Sequence, residues 1–177
     1  LSKALSGMKT LAVQFSEGGV IPALGRLDAG TADFLRGLGL TLVSSGDLVA
    51  RFEVTCSQAQ EEGHYRAMEV LLSTVDMAFE QVTRSLGMGE VFTEYDLQQE
   101  MLAFMDQHGL ETEAPPIVAV DAHAADPHYE PAPKGSTTVE PDQLLLLDLW
   151  GKEKKPGSVY ADITWCAYTG KEIPEEI

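Results

Sequence analysis

The sequence has few cysteines, few basic residues and no long apolar run. Cys56 and Cys166 are the only cysteines and lack metal-site spacing, so we expect reduced packing residues of a cytosolic protein. Only 12 basic residues accompany 28 acidic ones, a formal net charge of −16 that disfavours nucleic-acid binding. No apolar run approaches ~18 residues and no basic, apolar leader opens the chain. We therefore expect a cytoplasmic protein with no nucleic-acid partner and no membrane partner.

Apolar residues, by contrast, are plentiful. The chain has 177 residues and 44% of them are hydrophobic, which excludes a disordered chain and suffices for a domain core. One domain, or one domain and part of another, would account for this length. The sequence begins with Leu1 rather than Met, and its first seven residues show no start signature. We therefore expect a fragment of a longer protein.

The first 50 or so residues predict a strand, a helix and a second strand. Residues 9–15 alternate and are rich in β-formers, residues 28–38 form a helix ending at Gly39, and residues 40–43 form the second strand. Asp28 or Thr31 is the expected N-cap of the helix. Residues 16–22 are expected to be a loop, and residues 47–52 a helical turn. These elements are too few for a complete domain.

Two helices are predicted next. Apolar residues at spacings of three and four predict a helix over 57–86, stopped by Gly87 and Gly89. Its buried face is expected to comprise Met68, Leu71, Leu72, Val75, Phe79, Val82 and Leu86. Thr93 and Asp96 form a capping-box pattern that opens a second helix, running to about residue 108. A strand is predicted over 117–120.

A hairpin with two acidic residues follows. Residues 144–149 and 159–165 predict two strands joined by a Gly- and Pro-containing loop. If the hairpin closes about Lys155, Asp148 and Asp162 lie directly opposite each other on one face. Two carboxylates so close repel unless one is protonated or a cation lies between them, which favours a metal site. The alternative is that they face solvent or that the register differs by one or two residues.

Residues 121–136 predict a long loop that contains His128. Ordered loops of this length are often functional, and proline before His128 restrains the backbone. A histidine held in this way can donate to a developing anion or carry a proton. A surface histidine beside proline is the alternative. His64 and His108 are best explained as surface or helix-end residues.

The order of these motifs resembles the creatinase–prolidase family of "pita-bread" metallopeptidases. The likeness covers roughly residues 58–170 and is carried by four segments: the two helices including TEYDLQQEM, the segment PPIVAVDAHAADPHYEP, the strand LLLLDLWGK and the strand SVYADITWCAYTG. The resemblance implies an α/β fold of the α+β type, with helices packed on a curved, mostly antiparallel sheet. Residues 1–52 would then be the end of an N-terminal domain, and residues 53–177 the first half of the catalytic domain.

The resemblance also implies roles for four residues. Asp148 and Asp162 would bind metal, His128 would contact the substrate near the scissile amide, and Thr164 would support the Asp162 strand. The family's two divalent ions, usually Mn²⁺, Co²⁺ or Zn²⁺, share a water that attacks the peptide carbonyl. The expected activity is hydrolysis of the bond before proline in an Xaa-Pro peptide.

Departures from the family leave alternatives open. Asp121 and His123 stand where Gly and Asn are common, Trp150 where Gly is common and Trp165 where Arg is common. The family's further histidine and two glutamate ligands have no counterpart here. A non-catalytic binding module and a creatinase-type amidinohydrolase are therefore the alternatives. Half a domain would expose an apolar sheet face, so we expect aggregation or a homodimer.

Overall fold

The computed structural model describes residues 3–21 and 25–175. The chain separates into two units, Leu1–Cys56 and Ser57–Ile177, described in turn below. In chain order the helices and strands are β1 (Thr10–Val13), α1 (Ala29–Gly37), β2 (Thr41–Ser44), α2 (Gly46–Glu53), α3 (Gln58–Met88), α4 (Glu94–Gln107), β3 (Leu110–Glu111), β4 (Ile117–Val120), β5 (Leu144–Glu153) and β6 (Ala161–Tyr168).

The first unit confirms the predicted strand, helix and strand. Strands β1 and β2 pair in parallel and helix α1 connects them. Asp28 is the N-cap of α1 and accepts a hydrogen bond from the Thr31 backbone N–H at 2.9 Å. Gly39, with φ of 84°, takes the left-handed conformation that follows a helix end. Helix α2 is longer than the predicted turn, and the predicted loop ends at Pro22, outside the described residues.

Helix α3 is the longest element of the second unit. Ser57 caps it in a capping box with Gln60, and Gly89 ends it with φ of 68°. The helix continues through Gly87, contrary to the predicted stop, because Gly87 keeps a right-handed conformation and only Gly89 turns left-handed. Leu72 is 42% exposed rather than buried. The buried stripe lies on a neighbouring face because small residues complete it, and its members are Gly63, Ala67, Leu71, Thr74, Val75, Ala78, Val82 and Ser85.

Helix α4 begins as predicted. The Thr93 hydroxyl accepts from the Asp96 N–H at 3.2 Å, and the Asp96 carboxylate accepts from the Thr93 N–H at 3.0 Å. Leu97, Met101 and Met105 are buried under the sheet, whereas Phe104 is only half-buried. These three apolar residues, with those of α3, form the core on one face of the sheet.

The sheet is antiparallel and centred on β5, which pairs with β3 and β4 and also with β6. Odd-numbered residues of β5, such as Leu145, Leu147 and Leu149, are completely buried in the core. Even-numbered residues are only half-buried. The second side, which carries Leu146, Asp148, Asp162 and Thr164, is called the open face below.

The hairpin register differs from the predicted one by two residues. Asp148 lies opposite Thr164, and Asp162 lies opposite Trp150, so the hairpin closes about Pro156 rather than Lys155. Two contacts accompany this register. Gly151 packs closely against the side chains of Met105 and Leu110, and Gln60 of α3 donates to the Gly157 carbonyl at 3.1 Å in the connecting loop. A shift of two residues leaves every side chain on its predicted face.

The prediction that the two cysteines are packing residues is wrong. Both Cys56 and Cys166 are free and exposed. Cys166 follows Trp165 on β6, which pairs with β5 alone among the described strands and is therefore an edge strand. In the part of the chain that the structure describes, no helix is both long and apolar enough to cross a membrane.

Candidate active site

Asp148 and Asp162 share the open face of the hairpin. They are diagonal neighbours rather than opposed residues, a relation that separates positions on adjacent strands by ~7 Å. Thr164 lies directly opposite Asp148, and its hydroxyl donates a 2.6 Å hydrogen bond to Asp148 Oδ1. Thr164 therefore orients the Asp148 carboxylate through Oδ1 and leaves Oδ2 free to bind a ligand. The alternating strand pattern brings all three side chains to one surface.

The two aspartates repel each other. Partial burial, and secondly the negative charge of Asp148, raise the pKa of Asp162 above its ordinary value. Among the ion pairs formed within residues 3–21 and 25–175, none includes either aspartate. Repulsion between the two carboxylates lowers the stability of the fold, and a bound cation would remove it.

A cavity of about 240 Å³ adjoins this pair. Asp148 and Thr164 supply one polar part of its lining and His123 another, whereas Asp162 is not part of the lining. Apolar wall residues are Ile117, Ala119, Pro127 and Leu146. The cavity thus combines an oriented carboxylate and an imidazole with an apolar surface, as expected of a small-molecule site.

His128 lies on the loop as predicted but does not line this cavity. Its side chain is exposed, and its backbone N–H donates to Asp126 Oδ1 at 2.9 Å. The hydrogen bond fixes the backbone at His128 as an Asx turn does. A catalytic role for His128 stays a prediction.

Sequence reasoning missed Glu94, the first residue of α4. Its carboxylate is completely buried and accepts four hydrogen bonds from the loop and from β4. Oε1 accepts from the Val120 N–H and His123 Nδ1, each at 2.9 Å, and Oε2 accepts from the Thr137 N–H at 2.8 Å and the Tyr129 hydroxyl at 2.5 Å. One carboxylate therefore holds the end of β4 and three residues of the segment that follows it.

Tyr129 is tied closely to this carboxylate. Burial, and then the hydrogen bond to Glu94, raise the pKa of Tyr129 to about 12, so its hydroxyl stays protonated and donates. The Tyr129 ring stacks on His123, with 4.1 Å between centroids. An acidic residue at the first position of a helix normally faces solvent and the helix dipole favours it there, so the sequence carried no signal of burial.

The chemistry of the aspartate pair fits a divalent cation, but the number of ligands is small. Carboxylate oxygens are suitable ligands for hard divalent ions. Within residues 3–21 and 25–175, no three His, Cys, Asp or Glu side chains come together as a metal-binding group. Metal binding by Asp148 and Asp162 therefore stays a prediction, and the described residues do not form a complete metal site.

Several solved structures share the fold of this chain. A prolidase from Pyrococcus furiosus is similar in structure, with a TM-score of 0.61 and 18% identity over 98% of this chain and 46% of the prolidase. A dipeptidase PepE from Mycobacterium ulcerans has a TM-score of 0.63 and 22% identity over 99% of this chain and 42% of its own.

A third similar structure is the X-prolyl aminopeptidase of Caenorhabditis elegans, described as a cytosolic enzyme with a di-nuclear active site. Its TM-score is 0.55, with 18% identity over 85% of this chain and 32% of its own. This chain thus spans less than half the length of all three structures. A search among curated proteins found no significant match.

The structural likeness establishes the fold. Helices on an antiparallel sheet, in this order, match the pita-bread fold of these prolidase-like proteins, which confirms the predicted fold class over the part of that fold that the chain covers. The sequence gives the family directly, because residues 56–177, more than half of the chain, match the profile of Metallopeptidase family M24. The chain belongs to Metallopeptidase family M24, a family of peptidase-type hydrolases.

Proposed function

We propose that this chain forms part of a metal-dependent peptidase that hydrolyses the bond before proline in Xaa-Pro peptides. The observation that carries this proposal is the Asp148–Asp162 pair, which has no cation partner among the described residues and adjoins a cavity in an M24 chain. Similar structures described as prolidase, dipeptidase and X-prolyl aminopeptidase support the substrate class.

The proposed chemistry needs divalent ions, with Mn²⁺, Co²⁺ and Zn²⁺ as candidates. When bound, such ions would supply a water molecule of lowered pKa, the nucleophile that peptide hydrolysis needs. The chain's own residues would bind and orient. Asp148 and Asp162 would hold metal, Thr164 would fix Asp148 through the 2.6 Å hydrogen bond, and His128 would contact the substrate. The Caenorhabditis elegans structure, with its di-nuclear site, supports two ions.

Hydrolysis of Ala-Pro and Leu-Pro tests this proposal. The protein from the complete reading frame is assayed after chelator treatment and after addition of Mn²⁺, Co²⁺ or Zn²⁺. We expect activity only with metal, and Asp148→Asn should reduce it by about 100-fold or more, since even residues that only support metal ligands contribute 10–100-fold. Glu153→Gln is the matched control, because Glu153 lies on the same strand but pairs with Arg66. Metal-independent activity, or full activity of Asp148→Asn, would contradict the proposal.

A second candidate is a peptide-binding module without catalysis. The absence of a third metal-ligating side chain near the aspartates in residues 3–21 and 25–175 favours it. It predicts that Xaa-Pro peptides bind but are not cleaved under any metal condition. Calorimetry beside the hydrolysis assay separates the two candidates.

The proposed setting is the cytoplasm, and the proposed assembly is a homodimer with no nucleic-acid or membrane partner. The cytosolic Caenorhabditis elegans structure supports the first point. Strand β6 supports the second, because it pairs with β5 alone among the described strands and an edge strand can pair with another chain. Light scattering of the 177-residue chain tests it, and a stable monomer would contradict the homodimer.

A further inference from the structure

One buried carboxylate holds both ends of the loop that carries His128. Glu94 accepts from the Val120 N–H at 2.9 Å and from the Thr137 N–H at 2.8 Å. These two backbone groups flank the loop of residues 121–136, and the Glu94 N–H donates in return to the Thr137 carbonyl at 3.0 Å. The Glu94 side chain has no exposed area, so water does not compete for these bonds. Both ends of the loop are therefore fixed to the first turn of α4.

The middle of the loop is attached to the same carboxylate. His123 Nδ1 and the Tyr129 hydroxyl bond to its two different oxygens. The two rings also stack on each other, with 4.1 Å between their centroids and an interplanar angle of 22°. Glu94, His123 and Tyr129 thus form one connected group, which is called the clamp below.

The backbone of His128 lies in a turn that the clamp encloses. The Asp126 N–H donates to the His123 carbonyl at 3.0 Å, and the Tyr129 N–H donates to the Asp126 carbonyl at 3.1 Å. The His128 N–H donates to Asp126 Oδ1 at 2.9 Å, and the ring of Pro127 fixes one further backbone angle. The turn is bonded internally and held at both ends, so the clamp determines where the His128 backbone lies.

The same turn borders the open face. Ala124 and Pro127 line the cavity together with Asp148 and Thr164. His128 follows Pro127 directly, so a displacement of the turn changes the distance between His128 and this cavity. The clamp therefore controls the position of His128 relative to the strand that carries Asp148.

We propose that Glu94 is a positioning residue of the peptidase, whose carboxylate holds the His128 backbone where its side chain can reach the substrate. The inference rests on the proposed function, in which His128 contacts the substrate near the scissile amide. Glu94 itself is completely buried and is not part of the cavity lining, so it does not touch the substrate. Its effect on catalysis must pass through His128 and must vanish when the His128 imidazole is removed.

The structural half of the inference is tested without substrate, on the ¹⁵N-labelled 177-residue chain. Glu94→Gln replaces one carboxylate oxygen by an NH₂ group that cannot accept, so at least one of the two backbone N–H groups loses its acceptor. We expect amide hydrogen exchange at Asp126 and Tyr129, whose own N–H groups bond within the turn, to become about tenfold faster. Glu100→Gln is the matched control, because Glu100 is an exposed residue of the same helix that accepts from Gln81. Unchanged exchange in Glu94→Gln would overturn the inference.

The functional half is tested by a double-mutant cycle on the protein from the complete reading frame, with Ala-Pro as substrate. Glu94→Gln and His128→Ala should each lower kcat/KM about tenfold, the effect of one hydrogen bond. The double variant should be no worse than His128→Ala alone, whereas independent effects would multiply to about 100-fold. A residue that only supports folding would give the multiplied loss. Glu100→Gln should keep the wild-type kcat/KM.

Tyr129→Phe provides a second test if Glu94→Gln does not fold. This change removes only the hydroxyl that bonds Glu94 and keeps the ring that stacks on His123. We expect a smaller loss of kcat/KM than in Glu94→Gln, and no further loss when Tyr129→Phe is added to His128→Ala. Losses that multiply in this pair would overturn the inference.

The outcomes separate the inference from the proposed function. If the wild type cleaves Ala-Pro with metal but the losses multiply, or His128→Ala has no effect, the inference is wrong and metal-dependent Xaa-Pro hydrolysis stands. If the wild type cleaves no Xaa-Pro peptide with Mn²⁺, Co²⁺ or Zn²⁺, the proposed function fails and the inference fails with it. Faster exchange in the turn together with non-additive losses supports the inference.

Discussion

The two faces of the β5–β6 hairpin treat charge in opposite ways. On the helix-packed face the acid at the end of β5 is Glu153, and Arg66 of α3 contacts it through two hydrogen bonds of 2.9 and 3.0 Å. Lys155 adds a third contact at 3.0 Å. These cations, Arg66 first, lower the pKa of Glu153 to about 2. Charge on this face is compensated within the chain.

The open face is different. Asp148 and Asp162 lie near each other without a cation among the described residues, and the pKa of Asp162 is raised. If only stability mattered, we would expect a neutral residue in place of one aspartate or a basic residue beside the pair, as Arg66 and Lys155 lie beside Glu153. The difference teaches that the helix-packed face compensates its acidic side chain within the chain, whereas the open face carries two carboxylates that form no ion pair among the described residues.

The largest expected effect on stability comes from truncating a buried side chain on the helix-packed face. Leu147 is completely buried in the core, so Leu147→Ala should lower the free energy of unfolding by about 2–5 kcal/mol. Leu146 is the matched control because it is adjacent, of the same size and only half-buried on the open face. Urea unfolding measures both variants. Equal losses for the two would contradict the distinction between the faces.

A smaller effect is expected at Glu153. Its lowered pKa stabilises the folded chain above the ordinary value of 4.5, and this contribution disappears as the pH falls through about 2. Arg66→Ala should therefore reduce stability above pH 4.5 and have no effect near pH 2. Unfolding measured between pH 2 and 7 checks this. Arg36→Ala, in an exposed pair with Asp33, should not show the same pH dependence.

The smallest effect is expected from removing one charge of the open face. Asp162 has a raised pKa, so its stabilising contribution is complete below its ordinary value of 3.8 and is lost as the pH rises through the raised value. Asp148→Asn should bring the pKa of Asp162 closer to 3.8 and reduce that loss at neutral pH. Carboxyl NMR titration measures the shift. An unchanged pKa of Asp162 would show that burial alone raises it.

Local sequence signals predicted much of this fold. The Thr93–Asp96 capping box, the Gly89 helix end and the two hairpin strands were predicted from neighbouring residues, and the structure contains each of them. The observed hairpin register places Gly151 against Met105 and Leu110, which are distant from it in sequence. A local pattern could not reveal it.

The candidate site was predicted only in part. Four leucines before Asp148 indicated a carboxylate in an unusual place. The alternation of side chains along paired strands was sufficient to predict Asp162 on the same face. Glu94 gave no such signal, because its burial arises when residues 121–137 fold over the start of α4. His123 lines the cavity for the same reason, and no spacing rule connects it to Asp148.

The central claim is that the aspartate pair of the open face binds a divalent cation. Titration of the 177-residue chain with Mn²⁺ tests it most directly, since this paramagnetic ion broadens the NMR signals of nearby nuclei. We expect the carboxyl signals of Asp148 and Asp162 to broaden before that of Glu153, and Asp148→Asn to remove this order. Broadening of Glu153 together with, or before, the aspartates would contradict the claim.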